Sequence, residues 1–323
     1  MGFGWKKTSL GSIKFEGDNM QVNKLDYGAV EVLGFDITNF TQEDSNYIRE
    51  LLLKELIVVF REQDTGTINY ARLIHEIGGI SNWNQLSSDF DGNMRPMFTE
   101  YPDIDNWDKS EFFPIQAVTG KKSKDGKYNG IFPLGKLDWH CNLNGPDRAD
   151  GVALQGIKGV EGTRTSWMNT AIALAEMPPE LYARVKGKYA NFRYNFLKWS
   201  DVMDDRQREY MLKNQHEYKM WLEQENAGGV KGIYLYTNND CEIDGDDGSL
   251  FQDLQDYFFQ EKFMYHHDWK VGDIVLSDQL LTLHKRRQET DQIFENRLLN
   301  RLTFKLSNTG DPPYIVERNQ IDV

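Results

Sequence analysis

The grouping of apolar residues most constrains what this chain can fold into. They come in short, β-branched runs such as Leu56-Ile57-Val58-Val59-Phe60, Val152 to Val160, Gly232-Ile233-Tyr234-Leu235-Tyr236 and Ile274-Val275-Leu276, each bounded by charged or turn-forming residues. Runs of this length read as buried strands. Between them lie helical patterns. Residues 43–54, opened by Thr41, carry Ile48, Leu51 and Leu52 on one face, and Tyr70 to Ile77 ends at Gly78-Gly79. Leu250 to Lys262 reads as a further helix, and Ser166 to Leu174 begins another that stops at Pro178-Pro179. The charged stretch 199–226 is expected to be a helical insertion, and 102–136 a strand followed by a mobile surface loop. Arg301 to Leu306 closes the pattern as a strand. Strands and helices do not alternate in a regular βαβ beat, so the expectation is a β-rich α+β fold rather than a doubly wound sheet. No linker divides the chain, and 1–323 is expected to be a single domain.

Charge narrows the function classes. Asp and Glu number 50 against 37 Lys and Arg, a net charge of -13. That balance excludes nucleic acid and an anionic membrane surface as main partners, because phosphate binding needs clustered cations. A small anionic substrate remains compatible, since a local arginine pair can act inside an acidic protein. No apolar run reaches the roughly 18 residues of a membrane span, and Met1 to Phe15 lacks the apolar block of a signal peptide. The expected location is cytoplasmic. Two cysteines, Cys141 and Cys241, give neither a disulfide framework nor a Cys-rich zinc site. Homo-oligomerisation is left open.

Six histidines are available: His75, His140, His216, His266, His267 and His284. His75 and His216 fall in helical patterns and read as structural or solvated. His266 and His267 are adjacent, so on a strand they face opposite ways. His140 differs, because in Leu137-Asp138-Trp139-His140-Cys141-Asn142 positions 140 and 142 project from the same strand face. Two ligands on one strand plus a distant histidine, for which His284 is the natural candidate, build a facial triad with three open positions on Fe(II). The tripeptide alone is unspecific, and a core histidine satisfied by its neighbours is the competing reading.

The surrounding segments change that balance. Trp269-Lys270-Val271-Gly272-Asp273-Ile274-Val275-Leu276-Ser277-Asp278, then His284, then Arg297-Leu298-Leu299-Asn300-Arg301, resembles the C-terminal signature of the taurine dioxygenase family of Fe(II)- and 2-oxoglutarate-dependent oxygenases. Val32 to Ile37 is similar to the family's opening strand, Glu55 to Gln63 to its helix-to-strand segment, and Gly162-Thr163-Arg164-Thr165-Ser166-Trp167 to its oxoacid-binding turn. The resemblance spans about residues 30–310 with its landmarks in order.

It implies a double-stranded β-helix (jelly-roll) core with flanking helices. It also implies Fe(II) held by His140 and His284, and 2-oxoglutarate held at its distal carboxylate by Thr165 and Arg297. Arg301 would contact the oxoacid or an anionic substrate. The implied reaction uses dioxygen to oxidise a C–H bond of a small molecule while 2-oxoglutarate is decarboxylated to succinate. One position departs from the pattern, for the family's second ligand is a carboxylate and this chain has Asn142. Asn142 then ligates directly or through water; or the chain is a non-catalytic binding protein that has lost iron chemistry; or an exogenous anion takes the vacated position. Asp138, on the strand face of His140, is a minor substitute.

Overall fold

The computed structural model describes residues 13–14, 20–80, 115–122, 124, 126, 135–141, 149–194, 216–237, 239–306 and 315–320. Thr41 opens the Gln42–Glu55 helix with a capping box: its hydroxyl accepts from the Asp44 amide, and the Asp44 carboxylate accepts from the Thr41 amide. The helix buries Ile48, Leu51 and Leu52 and ends at Leu56, whose φ of 68° turns the chain straight into the Ile57–Phe60 strand. Packed beside it is the Thr67–Gly78 helix, whose end approaches the strand region so closely that a Cβ on Gly78 would lie 1.8 Å from the Lys305 carbonyl oxygen.

Two of the sheets, a large and a small one, face each other and carry the site. In spatial order the large one runs Ile13–Lys14, Gln21–Lys24, Ala29–Leu33, Ile57–Phe60, Ile274–Asp278, Gly151–Lys158, Leu298–Phe304 and Gln116–Val118. Among the described residues only Ala29–Leu33 and Ile57–Phe60 pair in parallel, and the Gln42–Glu55 helix makes their crossover. The small sheet runs Met264–Asp268, Arg164–Asn169, Thr282–Arg286 and Leu137–His140, antiparallel throughout.

Alternation along the strands divides their side chains between faces. Val58, Phe60, Leu276 and Leu302 pack against the two N-terminal helices. Ile57, Val59, Leu154, Val275 and Leu299 pack on Trp167 and Tyr265 of the small sheet. The small sheet's outer face, with Trp139, Met168, Met264 and Leu283, is covered by the Ser249–Phe258 helix and by a further sheet containing Tyr189–Tyr194 and His216–Trp221. The β-rich α+β expectation holds, with helices on both outer sides of the two facing sheets.

Two local expectations differ from the structure, and a third is met as far as the described residues reach. Ser166 to Asn169 is strand, and the helix starts only at Thr170, where the Asn169 side chain accepts from the amides of Ala171 and Ile172. Within 199–226, residues 199–215 lie outside the described residues, but His216–Trp221 and Glu223–Glu225 are strands. Tyr218, Met220 and Leu222 point into the core while Lys219 does not, a period-two pattern hidden among charges. Gln116–Val118 is a strand, as expected inside 102–136, whereas most of the loop expected after it lies outside the described residues.

Candidate active site

The small sheet brings two histidines together. Its Leu137–His140 and Thr282–Arg286 strands pair so that His140 and His284 are direct cross-strand partners, their ring centroids 4.2 Å apart. Both side chains are buried. Nδ1 of His140 lies 2.7 Å from the Asp138 carbonyl oxygen. A carbonyl only accepts, so Nδ1 carries the proton and Nε2 keeps its lone pair, the arrangement a metal-binding imidazole needs. Burial pushes His140 down to about 4 and His284 well below its ordinary value; both rings are neutral and able to donate lone pairs. Trp167, the other cross-strand neighbour of His284, is fully buried and stacks at 28° to that ring with centroids 6.2 Å apart.

The histidines share a pocket between the two sheets with Thr165, Arg286, Arg297 and Arg301, closed by Val118, Leu137, Leu154 and Leu299. Arg297 leaves the Asp291–Asn296 helix as its C-cap, and Arg301 follows on the Leu298–Phe304 strand. Both are buried, and desolvation pulls each guanidinium down to about 10. Arg286 is pulled further below the usual arginine range by burial and then by the nearby Arg297. The Arg297 and Arg286 guanidiniums lie 5.1 and 4.9 Å from the centre of the Phe294 ring. Nε of Arg297 has no hydrogen-bond partner among the described residues. Arg286 donates from Nε and Nη2 to the Gly135 carbonyl, and the Glu289 carboxylate acts on Arg286 and Arg297; with no carboxylate among the described lining residues, the unmatched edge of Arg297 suits an anion. Thr165 accepts a hydrogen bond of 2.9 Å from the Trp269 indole.

His140, His284, Thr165, Arg297 and Arg301 therefore meet in one pocket, while Asn142 lies outside the described residues. Asp138 does not line the pocket: its carboxylate is 64% exposed and pairs with Lys136, so solvent and that ammonium already satisfy it. Among the described residues no cluster of three or more His, Cys, Asp or Glu side chains converges. Arg286 escaped the sequence reading, although its position two residues after His284 on one strand face was the available signal. The donor set fits a ferrous ion chelated by a dicarboxylate. Two neutral imidazoles face the pocket, and a buried arginine with an unmatched N–H waits at a distance from them.

Residues 21–303 match the family model described as Taurine catabolism dioxygenase TauD, TfdA family. The chain is similar to an alpha-ketoglutarate-dependent 2,4-dichlorophenoxyacetate dioxygenase of Burkholderia sp. (strain RASC), 22% identical over 73% of this chain and 77% of that one. Its fold is similar to that of AAD-2 in complex with Mn(II) and N-oxalylglycine, at TM-score 0.64 and 17% identity over 88% of this chain and 96% of that chain. A taurine dioxygenase from Burkholderia xenovorans aligns at TM-score 0.63 and 18% identity, over 94% of this chain and 95% of the other. The family match covers well over half of the sequence, and the chain belongs to the TauD/TfdA dioxygenase family.

Proposed function

We propose that this protein is an Fe(II)- and 2-oxoglutarate-dependent oxygenase that oxidises a C–H bond of a small anionic molecule. His140 and His284 hold the metal through Nε2 of the first and a ring nitrogen of the second, with Asn142 contributing its amide oxygen directly or through water. Arg297 grips the distal carboxylate of 2-oxoglutarate as a planar, permanently charged fork, and Thr165 donates a second hydrogen bond to it. When bound, the iron and oxoacid supply the oxidising chemistry: dioxygen is reduced as 2-oxoglutarate is decarboxylated to succinate, one oxygen atom entering succinate and the other the substrate.

The protein's own share is positioning and exclusion. Asp138's carbonyl fixes the His140 tautomer, Trp167 backs the His284 ring, and the apolar lining keeps water from the reacting centre. Arg301 lines the same pocket and is assigned to the anionic group of the substrate. The oxoacid needs one guanidinium at its free end, and a further buried cation in the same pocket favours a substrate carrying a carboxylate or sulfonate. Two of the similar proteins are named for such acids, taurine and 2,4-dichlorophenoxyacetate.

The observation that carries the reading is the cross-strand histidine pair opening on the same buried pocket as Arg297. Succinate formation from 2-oxoglutarate tests it, measured with Fe(II) and air against a panel of small carboxylates and sulfonates. Succinate released by the native protein, raised by at least one anion and abolished in His140→Ala, is expected. No succinate under any condition contradicts it.

A further inference from the structure

Beside the pocket lies a buried polar chain that the proposed reaction does not use. His267 is the direct cross-strand partner of Thr165, and Tyr265, His267 and Trp269 share that face of their strand segment. The Trp269 indole meets the His267 ring edge-on, centroids 4.5 Å apart and planes at 72°. His267 is held at both nitrogens: Nε2 lies 3.0 Å from an Asp273 carboxylate oxygen and Nδ1 3.0 Å from the Tyr265 hydroxyl. That same Asp273 oxygen pairs with Arg61 at 2.6 Å and accepts from the Lys270 amide at 2.8 Å. An ionised carboxylate only accepts, so Nε2 of His267 donates to it; the buried ring is neutral, so Nδ1 accepts from Tyr265. Every member has its role fixed, and the ring against which Trp269 packs cannot turn.

At the end of this chain is Thr165. A threonine hydroxyl has one proton and two lone pairs, and it rotates to suit its surroundings. The indole N–H is a donor only. At 2.9 Å it takes one lone pair of the Thr165 oxygen, so the hydroxyl proton cannot point toward Trp269. Thr165 lines the pocket, and that is the direction left in which a donor is useful.

We propose that Trp269 is a positioning residue: its indole N–H turns the Thr165 hydroxyl proton into the pocket, toward the oxoacid carboxylate. The Arg61–Asp273–His267–Tyr265 network holds the indole in that place. This rests on the reading that Thr165 contacts 2-oxoglutarate. With Trp269 in place the hydroxyl is already oriented before the oxoacid arrives, and without it the hydroxyl is free to rotate away from the productive direction.

The test is 2-oxoglutarate affinity of the Fe(II)-loaded protein under nitrogen, with Fe(II) affinity measured in parallel. Trp269→Phe keeps a ring and removes the N–H; it should weaken 2-oxoglutarate about three- to tenfold, in the range of one hydrogen bond, and leave Fe(II) affinity unchanged. Thr165→Val should weaken it comparably, and the double variant should be no weaker than Thr165→Val, because Trp269 acts only through the hydroxyl. Unchanged affinity in Trp269→Phe, or losses that add in the double variant, overturns the proposal while leaving Thr165 as an oxoacid contact. Unchanged affinity in Thr165→Val overturns that contact and the proposal together.

Trp269→Gln and Trp269→Met separate orientation from packing, since the two side chains have similar volume and only Gln can donate. Orientation ranks Gln above Met in oxoacid affinity; Met equal to or above Gln overturns it. Nuclear magnetic resonance of the indole N–H groups needs no change at Trp269. In metal-free protein, one of the eight tryptophan signals should move in Thr165→Val, and none moving overturns the proposal.

Discussion

Three buried guanidiniums line one pocket, and Nε of Arg297 has no partner among the described residues, which suits that edge to an anion. Arg297 and Arg301 are four residues apart, yet the reading gives them different tasks. Arg297→Ala should weaken 2-oxoglutarate binding in the presence of metal about 30-fold or more, corresponding to roughly 2–5 kcal/mol for a desolvated charge-assisted contact. Arg297→Lys should recover only part of that, because an ammonium lacks the planar fork. Arg301→Ala should leave oxoacid affinity within about threefold and raise KM for the primary substrate; the reverse pattern in equilibrium titrations exchanges the two roles. Asn142→Asp should tighten Fe(II), measured under nitrogen, since a carboxylate is a better donor to a hard cation and cancels one positive charge at nearly constant volume. Unchanged or weaker binding shows that position 142 does not face the metal. The residues of this pocket were legible in the sequence wherever chemistry or family order marked them, as for His140, His284, Thr165, Arg297 and Arg301. Arg286 and Trp269 were not read as site residues, because their contribution depends on which strand neighbours which, and pairings between distant segments leave no local trace.

Individual elements were legible where local signals agreed. The Thr41 cap, the apolar stripe behind it and the β-branched run at Leu56 to Phe60 all gave the boundaries the structure shows within a residue or two. Where local signals conflicted, the reading failed for a physical reason. Ser166-Trp167-Met168 precedes a true helix and has no β-branched residue to mark it as strand, but burying Trp167 between the sheets fixes it as extended backbone. His216 to Trp221 is charged on one side, and pairing with Tyr189–Tyr194 overrides its helical propensity. The first helix permits a test at this scale. Thr41→Ala removes the capping box and should lower stability by about 0.5–2 kcal/mol, read as a shifted urea midpoint with unchanged slope. Oxoacid affinity should stay the same, because the helix packs on the face of the large sheet opposite the pocket. A loss of oxoacid affinity in this variant contradicts that separation.

For the molecule as a whole, the site lies where the two sheets face each other, so ligand binding and folding are linked. No helix among the described residues is long and apolar enough to cross a membrane. A ligand that binds only the folded protein stabilises it, so metal with 2-oxoglutarate should raise Tm. At about 100 times Kd the stabilisation is about 2.7 kcal/mol. His284→Ala should abolish the metal-dependent part of that shift.

The visible spectrum of the anaerobic protein titrated with Fe(II) and 2-oxoglutarate reports directly on an oxoacid held at the metal. An oxoacid chelated to ferrous iron gives a weak charge-transfer band that neither component shows alone. This band is expected in the native protein, saturating at one equivalent of iron, absent in His140→Ala and His284→Ala, and requiring far more oxoacid in Arg297→Ala. A native protein that shows no band at saturating iron and oxoacid contradicts the proposed function.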